Sequence, residues 1–164
     1  MCKRIGPCHP RTGAGPEGAG QYPDMTDSEQ KKPRFLIVDD SGTMRRIIRM
    51  TLGKLGFDQI EEAGDGLEAL NLITRNEVGL SLGIPEFDCV LTDWNMPNFD
   101  GLHLLRKIRE LPAYQKVPVV MITTEQSKDD VIEATKSGVS AYIVKPFTPD
   151  TLKAKISVFF KQLA

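Results

Sequence analysis

The sequence predicts an α/β fold: a doubly wound (βα)5 unit with a parallel five-stranded sheet in the flavodoxin-like order 2-1-3-4-5. The first observation behind this prediction is a set of five short apolar runs, each followed by a helix-like pattern. The second is that such short apolar runs are typical of parallel strands buried on both faces. The third is the alternation of strand and helix, which requires right-handed crossovers and places helices on both sides of the sheet.

The first two strand–helix pairs have the clearest pattern. Strand one is predicted at residues 35–38, and the helix after it keeps an i, i+3, i+4, i+7 apolar stripe over residues 44–55 that Gly56 ends. Strand two is expected near residues 57–63 and leads through Gly64-Asp65-Gly66 into a second helix. The apolar face of that helix consists of Leu67, Leu70 and Ile73.

The remaining pairs follow the same order. Strand three is expected near residues 87–92, and a helix opens after it at Asp100-Gly101. Strand four, residues 118–123, precedes a shorter helix near residues 128–136. Strand five covers about residues 141–144, and the last helix begins at Thr148-Pro149, an N-cap and first-turn pair. The apolar residues of this last helix are Leu152, Ile156, Phe159, Phe160 and Leu163.

Composition and charge favour one globular domain. The chain has 164 residues, 40% of them hydrophobic, which is enough for a single core. Its 21 basic and 22 acidic residues give a net charge of −1, so no overall field favours nucleic acid or an anionic membrane. No apolar run approaches the roughly 20 residues that span a bilayer, and the N-terminus lacks the apolar segment of a secretory signal. We therefore expect a cytoplasmic protein that inserts into no membrane and binds no nucleic acid, and we expect it to be a monomer.

The N-terminal region differs from the rest of the chain. Residues 1–32 are rich in Gly and Pro and show no apolar period, so we expect a disordered tail, with the folded domain at residues 33–164. Met25 lies within the tail, and one hypothesis makes it the true initiator. The three cysteines show no framework spacing, which fits a reducing compartment.

Five polar residues at the predicted strand ends carry the candidate chemistry. Asp39 and Asp40 follow strand one, Asp93 follows strand three, Thr123 ends strand four, and Lys145 follows strand five. Taken singly, these residues have simpler explanations as helix caps, β-formers or solvated charges. Ligand sites of open α/β sheets, however, lie beyond the carboxyl ends of the strands, so we expect all five to converge there.

The charges at this edge predict a divalent cation. Two carboxylates about 4 Å apart repel by roughly 4 kcal/mol at an effective dielectric constant near 20. Lys145 balances one of three negative charges, so two remain, and oxygen-only ligands suit Mg²⁺. A carboxylate beside Mg²⁺ and a lysine can attack phosphorus, and Thr123 adds a hydroxyl donor. Metal-assisted phosphoryl chemistry is therefore the predicted function.

Four motifs surround these residues: Val38-Asp39-Asp40, Thr92-Asp93-Trp94-Asn95-Met96-Pro97-Asn98-Phe99-Asp100-Gly101, Met121-Ile122-Thr123-Thr124-Glu125 and Tyr142-Ile143-Val144-Lys145-Pro146-Phe147-Thr148. These motifs resemble those of the receiver domain of two-component response regulators, and among them the chemotaxis regulators most of all. The resemblance covers about residues 33–164, in the right order and spacing. It implies a phosphoacceptor protein of signal transduction rather than an enzyme.

The resemblance implies a role for each matching position in the acidic site. Asp93 is the phosphoacceptor, which takes its phosphoryl group from a phosphohistidine of a kinase. Asp40, Asp93 and the backbone carbonyl of Asn95 bind Mg²⁺, while Asp39 acts through a bound water. Lys145 contacts the acceptor carboxylate and afterwards the phosphoryl group.

The resemblance also implies a switch. Thr123 turns its hydroxyl to the phosphoryl group while the ring of Tyr142 moves inward, and Asn95 and Glu125 tune the lifetime of the acyl phosphate. The Lys145–Pro146 bond is expected to be cis. The output surface is the face of the helix near residues 128–136, strand five and the last helix.

The partners implied are a histidine kinase of the chemotaxis type, a flagellar motor switch protein as the target, and a phosphatase as a further partner. One alternative function is a metal-dependent phosphohydrolase with an aspartate nucleophile. Such enzymes commonly need a second carboxylate two residues after the first, where this chain has Asn95. Another is a flavodoxin-type electron carrier, which would need a phosphate-cradling loop after strand one.

One segment departs from the family pattern. Residues 76–86, before strand three, are longer than the 2–6 residues usual for such a connection. The alternation of Val78, Leu80, Leu82 and Ile84 predicts a short extended flap or a contact with a partner. The segment joins the amino end of strand three, away from the site, so the phosphoryl chemistry should be independent of it.

Overall fold

The computed structural model describes residues 31–161 and shows five strands and six helices there. The strands are β1 (Arg34–Val38), β2 (Gln59–Ala63), β3 (Cys89–Thr92), β4 (Val119–Thr123) and β5 (Ala141–Val144). The helices are α1 (Gly42–Lys54), α2 (Gly66–Thr74), α3 (Glu77–Ser81), α4 (Gly101–Glu110), α5 (Lys128–Lys136) and α6 (Pro149–Ser157), with a 3₁₀ turn at Pro112–Tyr114.

All strand pairs are parallel, and the strand order is β2-β1-β3-β4-β5. The predicted fold class and strand order are therefore confirmed. Val38 of β1 is in register with Ala63 of β2 and with Thr92 of β3, while Thr123 of β4 is in register with Val144 of β5. Because these strands end nearly level, the residues that follow them lie along one edge.

The core consists of two apolar layers, one on each face of the sheet. Along β1, Phe35 and Ile37 face one layer while Leu36 and Val38 face the other, and all four are buried. This is the two-residue period of a strand covered on both sides. Helices α1 and α6 cover the first layer, and α2, α4 and α5 cover the second. None of the helices described has both the length and the apolar character that crossing a bilayer demands.

Side-chain caps fix where the helices begin. A hydroxyl, carboxylate or amide oxygen accepts a backbone N–H three residues further on at every one of the six helix starts. Such a cap stabilises a helix by about 1 kcal/mol. The capping residues are Ser41, Asp65, Asn76, Asp100, Ser127 and Thr148.

The prediction of an extended flap at residues 76–86 was wrong, because this segment contains helix α3. Asn76 accepts the N–H of Gly79 at 2.9 Å and starts the helix, and Gly83, with φ of 73°, ends it. The apolar alternation was misleading, since only Leu80 packs against the core. The other apolar side chains are exposed: Val78 (71%), Leu82 (69%) and Ile84 (52%).

The last helix is shorter than predicted. It ends at Ser157, and the chain then turns so that the ring of Phe160 lies 5.3 Å from Phe35 and 5.8 Å from Phe57, centroid to centroid. Packing of this ring against two others, rather than helical continuation, sets the end of α6. Leu163, Met25 and nearly all of the predicted tail lie outside the described residues. Strands β2, β3 and β4 begin one or two residues later than predicted.

Candidate functional site

Backbone hydrogen bonds just beyond the strands position the candidate site. The N–H of Asp39 donates to Ala63 O at 3.2 Å, and the N–H of Asp93 donates to Val38 O at 2.8 Å. At the other side, the N–H of Lys145 donates to Thr123 O at 2.8 Å. Each of these ladders thus extends past the strand by one residue, so the three candidate side chains start from hydrogen-bonded backbone at the same edge.

Three carboxylates meet at this edge. Asp39, Asp40 and Asp93 each place a carboxylate oxygen within 4.8 Å of the other two. Asp39 and Asp93 are buried, with 1% and 9% exposure, while Asp40 is exposed. Carboxylate oxygens, partly open to water, are the donor set that Mg²⁺ takes in proteins. The residues present therefore fit this ion.

Lys145 brings a positive charge between the two buried carboxylates. Its Nζ lies 2.7 Å from Asp39 Oδ2 and 3.3 Å from Asp93 Oδ2. The second oxygen of each carboxylate accepts a backbone N–H, from Ser41 to Asp39 at 2.8 Å and from Trp94 to Asp93 at 2.7 Å. The peptide bond between Lys145 and the proline after it is cis, as expected.

Burial raises the pKa of the Asp93 carboxyl above its ordinary value of 3.8. The charge of Lys145 opposes this shift, and the negative charge of Asp39 adds to it. The net direction is upward, so one ammonium does not fully compensate the buried negative charge. The electrostatics of the site thus favour a further cation.

Glu125 connects the remaining predicted residues to one another. Its N–H donates to Thr123 Oγ1 at 3.2 Å, and its carbonyl accepts the hydroxyl of Tyr142 at 2.9 Å. Its carboxylate accepts the Asn95 side-chain amide at 2.5 Å. Asn95 follows β3 and Glu125 follows β4, so this last bond joins the two loops beside the acidic site.

Burial, together with the negative charges of Asp130, Glu125 and Asp93, raises the pKa of Tyr142 to about 12. The Tyr142 hydroxyl therefore stays protonated at neutral pH. It can act as the donor in its bond to the Glu125 carbonyl, which ties β5 to the β4–α5 loop.

Two residues at the site have no role in the sequence prediction. Arg45 donates from Nη1 to the Asp39 carbonyl at 2.6 Å, and the backbone of Gly101 lies against that of Asp93. No sequence pattern distinguishes Arg45 from the other arginines of α1. Gly101 follows the capping Asp100, where a helix start alone explains it.

A five-stranded parallel sheet with clustered carboxylates and a lysine at its carboxyl edge is the arrangement expected, from the sequence, of a receiver domain. The family model of the response regulator receiver domain matches residues 35–157, and the chain belongs to this family.

Proteins similar to this chain include chemotaxis response regulators. A "Chemotaxis protein CheY homolog" of Campylobacter jejuni is 49% identical over 123 residues, which cover 75% of this chain and 88% of the relative. The structure of CheY4 of Vibrio cholerae, a chemotaxis response regulator, superposes with a TM-score of 0.66 at 31% identity, covering 78% of this chain and 98% of that one. A putative response regulator from Chloroflexus aurantiacus gives 0.69 at 27% identity, covering 79% and 98%. The chain is thus a CheY-like receiver-domain response regulator.

Proposed function

We propose that this response regulator accepts a phosphoryl group from a histidine kinase on Asp93, in a reaction that depends on Mg²⁺, and then signals by binding a protein target. The observation that carries the proposal is the meeting of Asp39, Asp40 and Asp93 within 4.8 Å beside the ammonium of Lys145. In this proposal, the receiver domain spans residues 33–164.

Asp40, Asp93 and the backbone carbonyl of Asn95 would hold Mg²⁺, with Asp39 acting through a bound water. When bound, the ion supplies positive charge that balances the negative charge on the phosphoryl oxygens. The three clustered carboxylates support this assignment, since their mutual repulsion falls when a cation is present.

Asp93 is the nucleophile of the proposed transfer. One of its carboxylate oxygens forms a bond to phosphorus while the bond from phosphorus to the kinase histidine nitrogen breaks, and the electron pair of that bond stays on the imidazole. The Trp94 N–H orients the acceptor carboxylate at 2.7 Å. Lys145, 3.3 Å from the same carboxylate, steadies it before the transfer and contacts the phosphoryl oxygens afterwards.

Thr123 and Tyr142 form the proposed switch. The buried Thr123 hydroxyl now accepts the Glu125 N–H, and its turn to the phosphoryl group would give up that bond. The Glu125 carbonyl also accepts a hydrogen bond from the Tyr142 hydroxyl, so a rearrangement of the β4–α5 loop would change the position of Tyr142 on β5. Asn95 and Glu125 are the proposed lifetime-tuning pair, which the bond between their side chains supports.

The proposed output surface is the face formed by α5, β5 and α6. It exposes apolar side chains, Ile132 of α5 at 49% and Val144 of β5 at 37%. The flagellar motor switch is the proposed target, with a chemotaxis-type kinase as the donor and a phosphatase as a further partner. The relatives that are chemotaxis proteins support this assignment. We propose that the protein acts as a monomer in the cytoplasm.

The test treats the protein with a small acyl-phosphate donor and Mg²⁺ and measures its mass. The expected result is a gain of one phosphoryl group in the wild type and none in Asp93→Asn. Asp58→Asn is the matched control, since Asp58 is an exposed partner of Lys32 and should be labelled normally. Labelling of Asp93→Asn at the wild-type level would refute the assignment. Co-purification in the presence of a phosphorylation-mimicking ligand would then identify the target.

A further inference from the structure

Arg45 is bound at two points between α1 and the acidic edge. Its Nη1 donates to the Asp39 carbonyl at 2.6 Å, and its Nε donates to Glu62 Oε2 at 3.1 Å. Its own backbone N–H donates to Ser41 O at 3.0 Å, within the first turn of α1. The guanidinium therefore links the end of β1, the start of α1 and the end of β2.

The carbonyl that Arg45 holds belongs to the peptide between Asp39 and Asp40. The β1–β2 pairing ends at Val38 and Ala63, so this carbonyl lies beyond the regular ladder. The Asp39 carboxylate has its own partners in Ser41 and Lys145. Within residues 31–161, by contrast, no hydrogen bond holds the carboxylate of Asp40, which is exposed, so its position depends on the backbone that carries it.

We propose that Arg45 is a positioning residue for the metal site: it fixes the Asp39–Asp40 peptide so that both carboxylates face the same cation. This inference rests on the proposed function, because it needs Mg²⁺ to bind there. Arg45 would act on the bound ion indirectly, through its hydrogen bond to the Asp39 carbonyl. Partners that hold metal ligands in this indirect way typically change metal affinity by about 10- to 100-fold when they are removed.

The direction of the change in Mg²⁺ affinity distinguishes a positioning role of Arg45 from an effect of its charge alone. A guanidinium near a cation repels it, so removal of the charge alone would tighten Mg²⁺ binding. Removal of the hydrogen bond to the Asp39 carbonyl releases the peptide and weakens Mg²⁺ binding. Positioning and charge therefore predict changes in opposite directions.

Mg²⁺ titration followed by the fluorescence of Trp94, the single tryptophan and the neighbour of Asp93, tests this proposal. We expect Arg45→Gln to bind Mg²⁺ about tenfold more weakly than the wild type. Arg49→Gln is the matched control: Arg49 lies on the same helix and binds the same Glu62, but its other hydrogen bond goes to Ile60 O. The Mg²⁺ affinity of the Arg49→Gln variant should equal that of the wild type.

Each outcome decides one question. A wild-type protein that binds no Mg²⁺ overturns the proposed function itself. A wild type that binds Mg²⁺ beside an Arg45→Gln variant of equal or tighter affinity overturns only the positioning role. Equal weakening in both glutamine variants would assign the effect to Glu62 and also overturn it. If Arg45→Gln does not fold in the absence of metal, Arg45→Lys takes its place, since one ammonium keeps the charge but not both contacts, and unchanged affinity there overturns the proposal.

Discussion

Gly101 shows how the absence of one side chain sets the geometry of the acidic loop. A Cβ at this position would lie 1.9 Å from the Asp93 carbonyl oxygen and 3.1 Å from Trp94 Cα. The Gly101 N–H also donates to Trp94 O at 2.8 Å. Helix α4 therefore begins directly against the backbone of the proposed phosphoacceptor, and a residue with a Cβ does not fit.

We expect Gly101→Ala to destabilise the protein by roughly 2–3 kcal/mol, because the Asp93 peptide must move to admit the methyl group. Gly53→Ala is the matched control in α1, where nothing lies within 4 Å of an added Cβ. That change should stabilise the protein by roughly 0.5–1 kcal/mol, the helix propensity difference. Urea unfolding measures both, and a Gly101→Ala variant as stable as the wild type would contradict the close approach.

At this scale the sequence predicts which residues meet, but not how they bond. Asp39, Asp93 and Lys145 could be placed because each directly follows an apolar run whose end is clear. The three hydrogen bonds of Glu125 could not be predicted, since two of them use its backbone and depend on the conformation of the β4–α5 loop. The Arg45 contact with the Asp39 carbonyl likewise depends on a peptide orientation that no residue pattern encodes.

At the scale of elements, the segment after α3 is held in place by contacts with other parts of the chain. The Tyr114 hydroxyl accepts the N–H groups of Glu86 and Phe87 at 2.9 and 3.2 Å. The Glu86 carboxylate accepts hydrogen bonds from Arg34 at 2.6 Å and Arg75 at 2.7 Å. A five-residue helix has too few turns for a 3.6-residue period to show, so it depends on its Asn76 cap and on these tertiary anchors more than on helix propensity. This is why the sequence pattern predicted the wrong structure here.

The charged cluster at this anchor predicts acid sensitivity. Hydrogen bonds from Arg75 are the foremost cause that lowers the pKa of both Glu61 and Glu86. A carboxyl whose pKa is lowered by folding stabilises the fold above its ordinary value, 4.5, and this stabilisation is lost as the pH falls through the lowered pKa. We therefore expect Arg75→Gln to cost no more than about 1 kcal/mol at neutral pH, since the pairs are partly exposed, and to lose less stability than the wild type on acidification.

Urea unfolding at neutral pH and at several pH values below 4.5 measures this difference. Arg106→Gln is the control, since it breaks a comparable surface pair with Glu133 on another part of the molecule. A stability gap between the wild type and Arg75→Gln that stays constant over this pH range would contradict the charged anchor.

At the scale of the whole molecule, two apolar layers carry the stability while the carboxyl edge of the sheet carries concentrated negative charge. The alternating pattern predicted the parallel sheet with helices on both faces because crossovers are right-handed. The strand order was predicted because 2-1-3-4-5 is a common order for a doubly wound sheet. It did not predict the end of α6, where the Phe160 ring packs against Phe35 and Phe57 from distant segments. Long-range packing of this kind is not visible in a local pattern.

Because Mg²⁺ would bind the folded edge and not the unfolded chain, the ion should stabilise the whole protein. At a concentration about 100 times its Kd, it should raise the free energy of unfolding by about 2.7 kcal/mol. Asp40→Asn should lose most of this gain and still fold, since Asp40 is exposed. Asp129→Asn, an exposed change in α5, should keep the gain.

The measurement is urea unfolding in Mg²⁺ and in chelator at matched ionic strength. An equal gain in the wild type and in Asp40→Asn would show that the ion binds elsewhere.

The short helix α3 has a practical consequence for anyone who wishes to observe this protein at work. It precedes β3 and so joins the amino end of the sheet, whereas the acidic residues lie at the carboxyl end. Leu82, which directly follows it, is one of the exposed side chains of this segment. A dye or an affinity tag attached at Leu82 would extend into solvent, at the end of the sheet away from the proposed phosphoacceptor.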